Sequence, residues 1–433
     1  MILVGKLKSD KVIMRAGIQG WIRNLWAPSL MVISLLILIA FTWLPATNEI
    51  THGFAAYYAS SRFILDHRGG TLLYDDSVFQ REVESFTEGR ASDIYWANPP
   101  TTSLLFLPLA KLTIIDARHL WMMLSLIALL LAIWLTAYVI FKLPLQTKTF
   151  YIASSIFLLS APLAENFRFG QAYVVLLVFY ALALFALCSG HDWLAGLWLG
   201  LVLALKGSGI PFLILLLLRG KWQVVVGAAL TSAALALISL PLIGVAAWRI
   251  YVFAVVPRFL ADPVITMTAY QTVPGFIQHL FAYHPIWNPA PIINLPVVAT
   301  IASKLAGLML LGVAAKHSRR AALEWTFCVG LVLSVILIPA AEQHHYVLLF
   351  PAFLLGIHSI QVPKVPLYIS AALVALPLDY MTMALTSGWG ALFAYPRLYG
   401  AIILFILLHL HGKAVKLGPA SEANKLDAVA GDQ

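Results

Sequence analysis

The chain has 433 residues, of which 61% are hydrophobic and only 11% charged, against about 45–50% and about 25% in an average soluble domain. Together with a mean hydropathy of +0.88, this excludes a soluble globular enzyme, a disordered chain and a nucleic-acid binder. The formal net charge is +9, but the basic residues are scattered among apolar runs, where they report membrane orientation rather than a polyanion partner.

A membrane helix needs about 20 mainly apolar residues. The run from Pro28 to Leu44 meets that length after a basic stretch holding Lys6, Lys8, Lys11, Arg15 and Arg23. No small-residue cleavage site follows it, so a retained first helix is expected rather than a removed signal peptide. Further apolar runs lie at 117–141, 149–164, 172–189, 193–206, 210–218, 222–243, 297–315, 321–341, 345–360, 365–382 and 396–411. The expectation is an all-α polytopic integral membrane protein with about twelve crossings and both termini on one side. A cytoplasmic N-terminus then places Lys142, Lys148, Arg219, Lys221, Lys316, Arg319, Arg320, Lys364, Lys413 and Lys416 inside, as the positive-inside rule requires. The run 101–114 is short and carries Pro108 and Lys111, so it is expected to be re-entrant or interfacial. Cys188 and Cys328 sit inside apolar runs, which leaves no disulfide framework for the loops.

The resulting organisation is a cytoplasmic basic N-terminus at 1–27, a membrane domain at 28–411 and a disordered cytoplasmic tail at 412–433. Two long loops, 45–116 and 244–296, fall outside. The first holds nine of the 19 acidic residues: Glu49, Asp66, Asp75, Asp76, Glu82, Glu84, Glu88, Asp93 and Asp116. Its segment 54–65 spaces Phe54, Tyr57, Tyr58, Phe63 and Leu65 as an amphipathic helix on the membrane surface would. Ser77 with Gln80 resembles a capping box opening a second short helix, and Asn98-Pro99-Pro100 predicts an extended entry into the next run.

Polar groups within the apolar runs gather at the same outer face. Glu165, Asn166, Arg168 and Gln171 fall at the third turn, Lys206 ends the fifth expected helix, and Glu342-Gln343-His344-His345 separates the ninth from the tenth. Ionisable residues at membrane depth are costly and mark functional sites by default. Lys206 is suited to phosphate as a point charge, with Gly207-Ser208-Gly209 offering backbone N–H groups; the bland reading is a lysine snorkelling from a helix end.

Tyr57-Tyr58, Leu73-Tyr74-Asp75, Asn98-Pro99-Pro100, Leu107-Pro108-Leu109-Ala110 and Trp121 together resemble the first-loop signature of glycosyltransferase family 87, in the GT-C class. The likeness continues through Gly170-Gln171, Ala195-Gly196-Leu197, Gly200-Leu201, Ala204-Leu205-Lys206 and His344-His345-Tyr346, and so spans about residues 50 to 355. The resemblance implies a GT-C-like fold and transfer of a sugar, often mannose, from a polyprenyl-phosphate carrier to a lipid or glycan acceptor at the extracytoplasmic face. It implies the cell membrane as location, membrane lipids as surroundings, and substrate-binding roles for Tyr57, Tyr58, Asn98, Arg168, Gln171, Lys206, His344 and His345. Two departures stand against it. Family members commonly carry an Asp just before the Phe of the first loop, taken as the catalytic base, where this chain has Gly53. Tyr270-Gln271-Thr272 likewise replaces a common Asn-Gln-Ser.

An inverting transfer needs a carboxylate or imidazole to take the acceptor proton. Glu49, four residues before Gly53, is the first candidate, His52 the second and Asp75 the third, each with a loop or helix-entry role as its alternative. Asp75-Asp76 and His344-His345 are metal-ligating types, but without an Asp-x-Asp triplet no metal or other cofactor is expected, a divalent cation being the exception held open. The rival class is a transporter or flippase of a lipid-linked substrate, whose site would also use broken helices and intramembrane charges.

Overall fold

The computed structural model describes residues 25–96, 98–141, 147–261, 266–319, 321–378 and 386–412. The basic N-terminus to residue 24, the tail from 413, and Lys142 and Arg320 lie outside the described residues, so much of the expected charge asymmetry does too.

Among the described residues the chain is helical throughout, apart from a single bridge between His284 and Asn288. In chain order the helices are α1 (Leu25–Thr47), α2 (Phe54–Leu65), α3 (Asp76–Thr87), α4 (Thr102–Phe106), α5 (Ile114–Phe141), α6 (Lys148–Leu158) and α7 (Ala161–Arg168). Next come α8 (Tyr173–Cys188), α9 (Asp192–Lys206), α10 (Ile210–Leu218), α11 (Trp222–Ile243), α12 (Val245–Ile250), α13 (Val256–Ala261) and α14 (Val273–Phe281). The last are α15 (Pro296–Ser318), α16 (Leu323–Ile336), α17 (Phe350–His358), α18 (Lys364–Ala375) and α19 (Pro396–His411). Among the described residues, each apolar run of the sequence therefore contains a helix or a pair of helices.

Four of these, α1, α5, α11 and α15, are long and apolar enough to cross a membrane, and the α6–α7 pair, bent by 49°, makes a fifth if it is one span. Their outer faces carry Phe41, Ile127, Leu237 and Leu308, exposed by 78, 60, 65 and 66%. A helix surface that is apolar toward the outside as well as toward its neighbours belongs in lipid. Shorter apolar helices such as α8 fill the interior of the bundle, where Leu176, Leu177, Tyr180 and Leu184 are fully buried.

Without a hydrophobic drive between helices in lipid, close packing rests on small residues. The α9–α11 pair uses them: a Cβ on Gly196 would fall 2.6 Å from the Val224 carbonyl, and one on Gly200 would fall 2.5 Å from Thr231 Cβ. This contact fixes the axis of α9, whose last residue is Lys206.

The first loop differs from expectation in two ways. α2 forms as predicted, but Phe54, Tyr57, Tyr58, Ser60, Ser61 and Phe63 are all buried, so it is an internal helix and not one lying on the membrane surface. The loop folds over it as a lid of its own, with Phe79 and Val83 of α3 completing a second small core. α3 is capped two residues before the expected capping box, because the Asp75 side chain accepts from the N–H groups of Ser77 and Val78. The segment 101–114, expected to be re-entrant or interfacial rather than to cross, folds as α4 and a short 3-10 turn at Leu109–Lys111. Five helical residues rise about 7.5 Å, far short of the ~30 Å hydrocarbon core.

In the second long loop, Gln271 acts as a joint: its backbone N–H donates to Ala341, its amide donates to the Ala394 carbonyl, and its side-chain oxygen accepts from Arg397 N.

Candidate active site

Four pieces of chain meet at the C-terminal end of α9. The helix stops at Lys206 because Gly207 turns into the left-handed region with its N–H on the Leu203 carbonyl. That N–H is committed to the helix end, so it is not an anion donor. The hydroxyls of Thr101 and Thr102 cap the carbonyls of Ala204 and Leu205, docking α4 onto the same end. Asn98, just upstream, accepts a hydrogen bond from Lys206 Nζ at 2.8 Å. The ammonium also lies over the rings of Tyr57 and Tyr173, at 4.6 and 5.5 Å from their centroids.

An ammonium has three N–H donors. The charges of Asp93 and Glu342 act on it, while its hydrogen bond goes to a neutral amide oxygen and its ring contacts are uncharged, so the cation is held by neutral groups. This is what a phosphate site requires.

The N-terminus of α2 supplies the next piece. Gly53, with φ at +83°, turns the chain into the helix, and its N–H donates to Asp93 Oδ2 at 2.5 Å. The Tyr57 hydroxyl, one turn on, donates to Gln171 Oε1 at 2.5 Å. His52 lies against Phe169 with ring centroids 4.0 Å apart.

The opposite wall is the 3-10 segment Gln343–Leu349 and the residue before it. His345 Nε2 and the Tyr173 hydroxyl are 2.5 Å apart, and the His344 and His345 rings stack at 4.6 Å. His344 Nδ1 lies 3.1 Å from Glu165 and 3.7 Å from Glu342, and the Gln343 amide donates to Glu165 at 2.5 Å.

The two loop carboxylates are tuned by this setting. Burial pushes Asp93 above the ordinary carboxylate range, opposed by the N–H groups of Gly53 and Ile94 and by the charges of His52 and Lys206. Glu342 is pushed up to about 7, first by burial and then by the negative charges of Glu165 and Asp93, with Lys206 opposing. Its side chain keeps 38% of its surface open, consistent with a recess that water reaches but does not flood.

Of the residues singled out in the sequence, Tyr57, Asn98, Gln171, Lys206, His344 and His345 come together here. Others are placed differently. Asp75 is exposed and serves as the N-cap of α3, which also holds its carboxyl below the usual range through the Val78 and Ser77 bonds. Tyr58 is buried with its hydroxyl on the Leu112 carbonyl. Arg168 is exposed, and it is its carbonyl that is used, accepting from Thr51 and Arg118. Glu49 is exposed at the start of the loop, where its charge acts on the buried Arg118. Asp93 and Tyr173 were not singled out. The one local signal at Asp93 is its position directly ahead of Ile94-Tyr95-Trp96 and the Asn98-Pro99-Pro100 stretch that carries the Lys206 acceptor.

Glu165, Glu342 and His344 present ligand atoms within 4.8 Å of one another, a set able to hold a divalent cation. Asp75 and Asp76 do not join it, since Asp75 caps α3 and Asp76 faces Arg258 at 3.4 Å.

A helical membrane protein with a cation, carboxylates and imidazoles gathered at one end of its bundle belongs to the class that carries out polar chemistry at a membrane face. The chain belongs to glycosyltransferase family 87, whose model matches residues 96–339. It is also similar to the polyprenol-phosphate-mannose-dependent alpha-(1-2)-phosphatidylinositol pentamannoside mannosyltransferase of Mycolicibacterium smegmatis, 24% identical over 332 residues that make up 77% of this chain and 75% of that protein. The matched family segment holds Asn98, Gln171, Tyr173 and Lys206, while Gly53, Asp93 and Glu342 lie beyond its ends.

Proposed function

We propose that the chain transfers a hexose or pentose, mannose in the first instance, from a polyprenyl-phosphate carrier to a lipid or glycan acceptor at the extracytoplasmic face of the cell membrane. The observation that carries this is the Lys206 ammonium, held by Asn98, Tyr57 and Tyr173 at the end of an apolar bundle. A lipid phosphate reaching that point from within the membrane meets a cation whose own hydrogen bond goes to a neutral amide. The requirement of the mycolicibacterial relative for a polyprenol-phosphate sugar and its phosphatidylinositol-type acceptor support the same donor and acceptor classes.

An apolar groove is lined by Ala153, Phe157, Tyr346, Phe350, Phe353 and Val374, and in this reading it takes the prenyl tail. Lys206 binds the phosphate and stabilises the charge that builds on it as the bond to the sugar breaks. His345, oriented by Tyr173, faces the same phosphate or the acceptor. The full span count of about twelve, with cytoplasmic termini, belongs to this proposal too.

The test is incubation of the purified protein with radiolabelled polyprenyl-phosphate mannose and total membrane lipids. Label appearing in a lipid or glycan product is expected. Label that stays in the donor, with donor moving across liposome bilayers instead, would establish the flippase class and end the proposal.

A further inference from the structure

Asp93 is a first-loop carboxylate folded into the site rather than left on the loop surface. Its Oδ2 accepts the Gly53 N–H at 2.5 Å and its Oδ1 accepts the Ile94 N–H at 2.8 Å. Two main-chain donors, one on each oxygen, fix the plane of the group and leave each oxygen a lone pair. The charged groups facing it are His52 before α2 and Lys206 at the end of α9, with Glu342 acting on it from the 3-10 wall. Tyr57, also in its field, directs its hydroxyl proton to Gln171 instead.

The group thus has what a base needs: a fixed position, an open valence, and a neighbouring cation placed for the opposite task. We infer that Asp93 is the general base of the transfer reaction, taking the proton of the acceptor hydroxyl. This rests on the function proposed above. In the step, the acceptor oxygen forms a bond to the anomeric carbon of the sugar while its proton passes to an Asp93 oxygen. The bond from that carbon to the phosphate oxygen breaks, and its electron pair leaves with the polyprenyl phosphate, next to Lys206. Nothing is oxidised or reduced. Burial makes the carboxylate more basic than a surface aspartate, with the bonds from Gly53 and Ile94 opposing, and a more basic group favours proton transfer.

Asp93→Asn in the full chain keeps an oxygen for the Gly53 N–H, gives up the bond from the Ile94 N–H and cannot take a proton. Expected is a fall in kcat of about 10²–10⁴-fold with the KM for polyprenyl-phosphate mannose within about threefold, and loss of the acid limb of the pH–rate profile. A second variant, Asp93→Gly, is assayed with added formate, which is expected to restore transfer in proportion to its concentration by standing in for the carboxylate. Asp93→Asn with kcat within threefold of the parent and its acid limb intact overturns the assignment, and so does Asp93→Gly that formate leaves unchanged. A parent protein that transfers no sugar would instead sink the function on which the inference rests, so the two failures are told apart.

Discussion

The carboxylate of Asp93 accepts the backbone N–H of Gly53 at 2.5 Å, across 40 residues of chain. At the position where the resemblance to family 87 leads one to expect an Asp, this chain has a residue with no side chain, and the loop brings a carboxylate back to it. Gly53 takes φ at +83°, and a Cβ there would lie 2.6 Å from Gln171 Nε2 and 2.9 Å from the Phe169 carbonyl. Restoring an Asp at 53 is therefore not a simple repair.

Gly53→Ala should be strongly destabilising, because it combines left-handed backbone strain of about 1–2 kcal/mol with a backbone clash. A total loss near 3 kcal/mol is expected, of the size associated with special backbone positions. Thermal unfolding in detergent checks it, and an unchanged melting temperature would refute the tight approach at Gly53.

Lys206→Met keeps the apolar stem and removes the charge. Transfer should fall by about 10²–10³-fold, the usual effect of losing a donor aimed at developing charge. Lys206→Arg should not restore it, since the planar fork does not match a point-charge seat between two rings. Steady-state kinetics with the polyprenyl-phosphate sugar decide the matter.

Glu342, raised to about 7, makes stability depend on pH. Its folded pKa exceeds its unfolded value, so the protonated form is favoured by folding. The stabilising contribution is complete below the ordinary glutamate range and is lost as pH rises through about 7. Glu342→Gln should remove that slope, with an effect near 1 kcal/mol once the openness of the side chain is allowed for. Melting temperatures of both proteins between pH 5 and pH 9 test this, and parallel curves would contradict it. Because the two groups repel, the same variant should also move the acid limb of the rate profile to lower pH by easing the ionisation of Asp93.

Asp75→Ala separates capping from chemistry. Loss of the bonds to Ser77 and Val78 should lower the melting temperature while kcat stays within about threefold, below the 10²-fold scale of acid–base catalysis. A hundredfold loss of turnover in a stably folded variant would return Asp75 to the reaction.

The sequence by itself determined the helices and the end of the molecule where polar groups gather. Hydropathy is additive along a run, and Lys206, Asn98, Gln171 and the His344-His345 pair interrupt such runs, so both could be seen without any knowledge of packing. It also identified the apolar character that places this chain in lipid. The base was a different matter. Glu49 and His52 are near Gly53 in the chain, and Asp75 sits in a recognisable motif, but proximity in sequence does not measure distance in a folded loop. Asp93 reaches Gly53 because α2 is buried whole, Phe79 and Val83 pin α3 against it, and Thr101 and Thr102 dock the following segment on the end of α9. Those contacts are long-range and depend on shape, so only the tertiary structure could decide which of nine acidic residues faces the Lys206 ammonium.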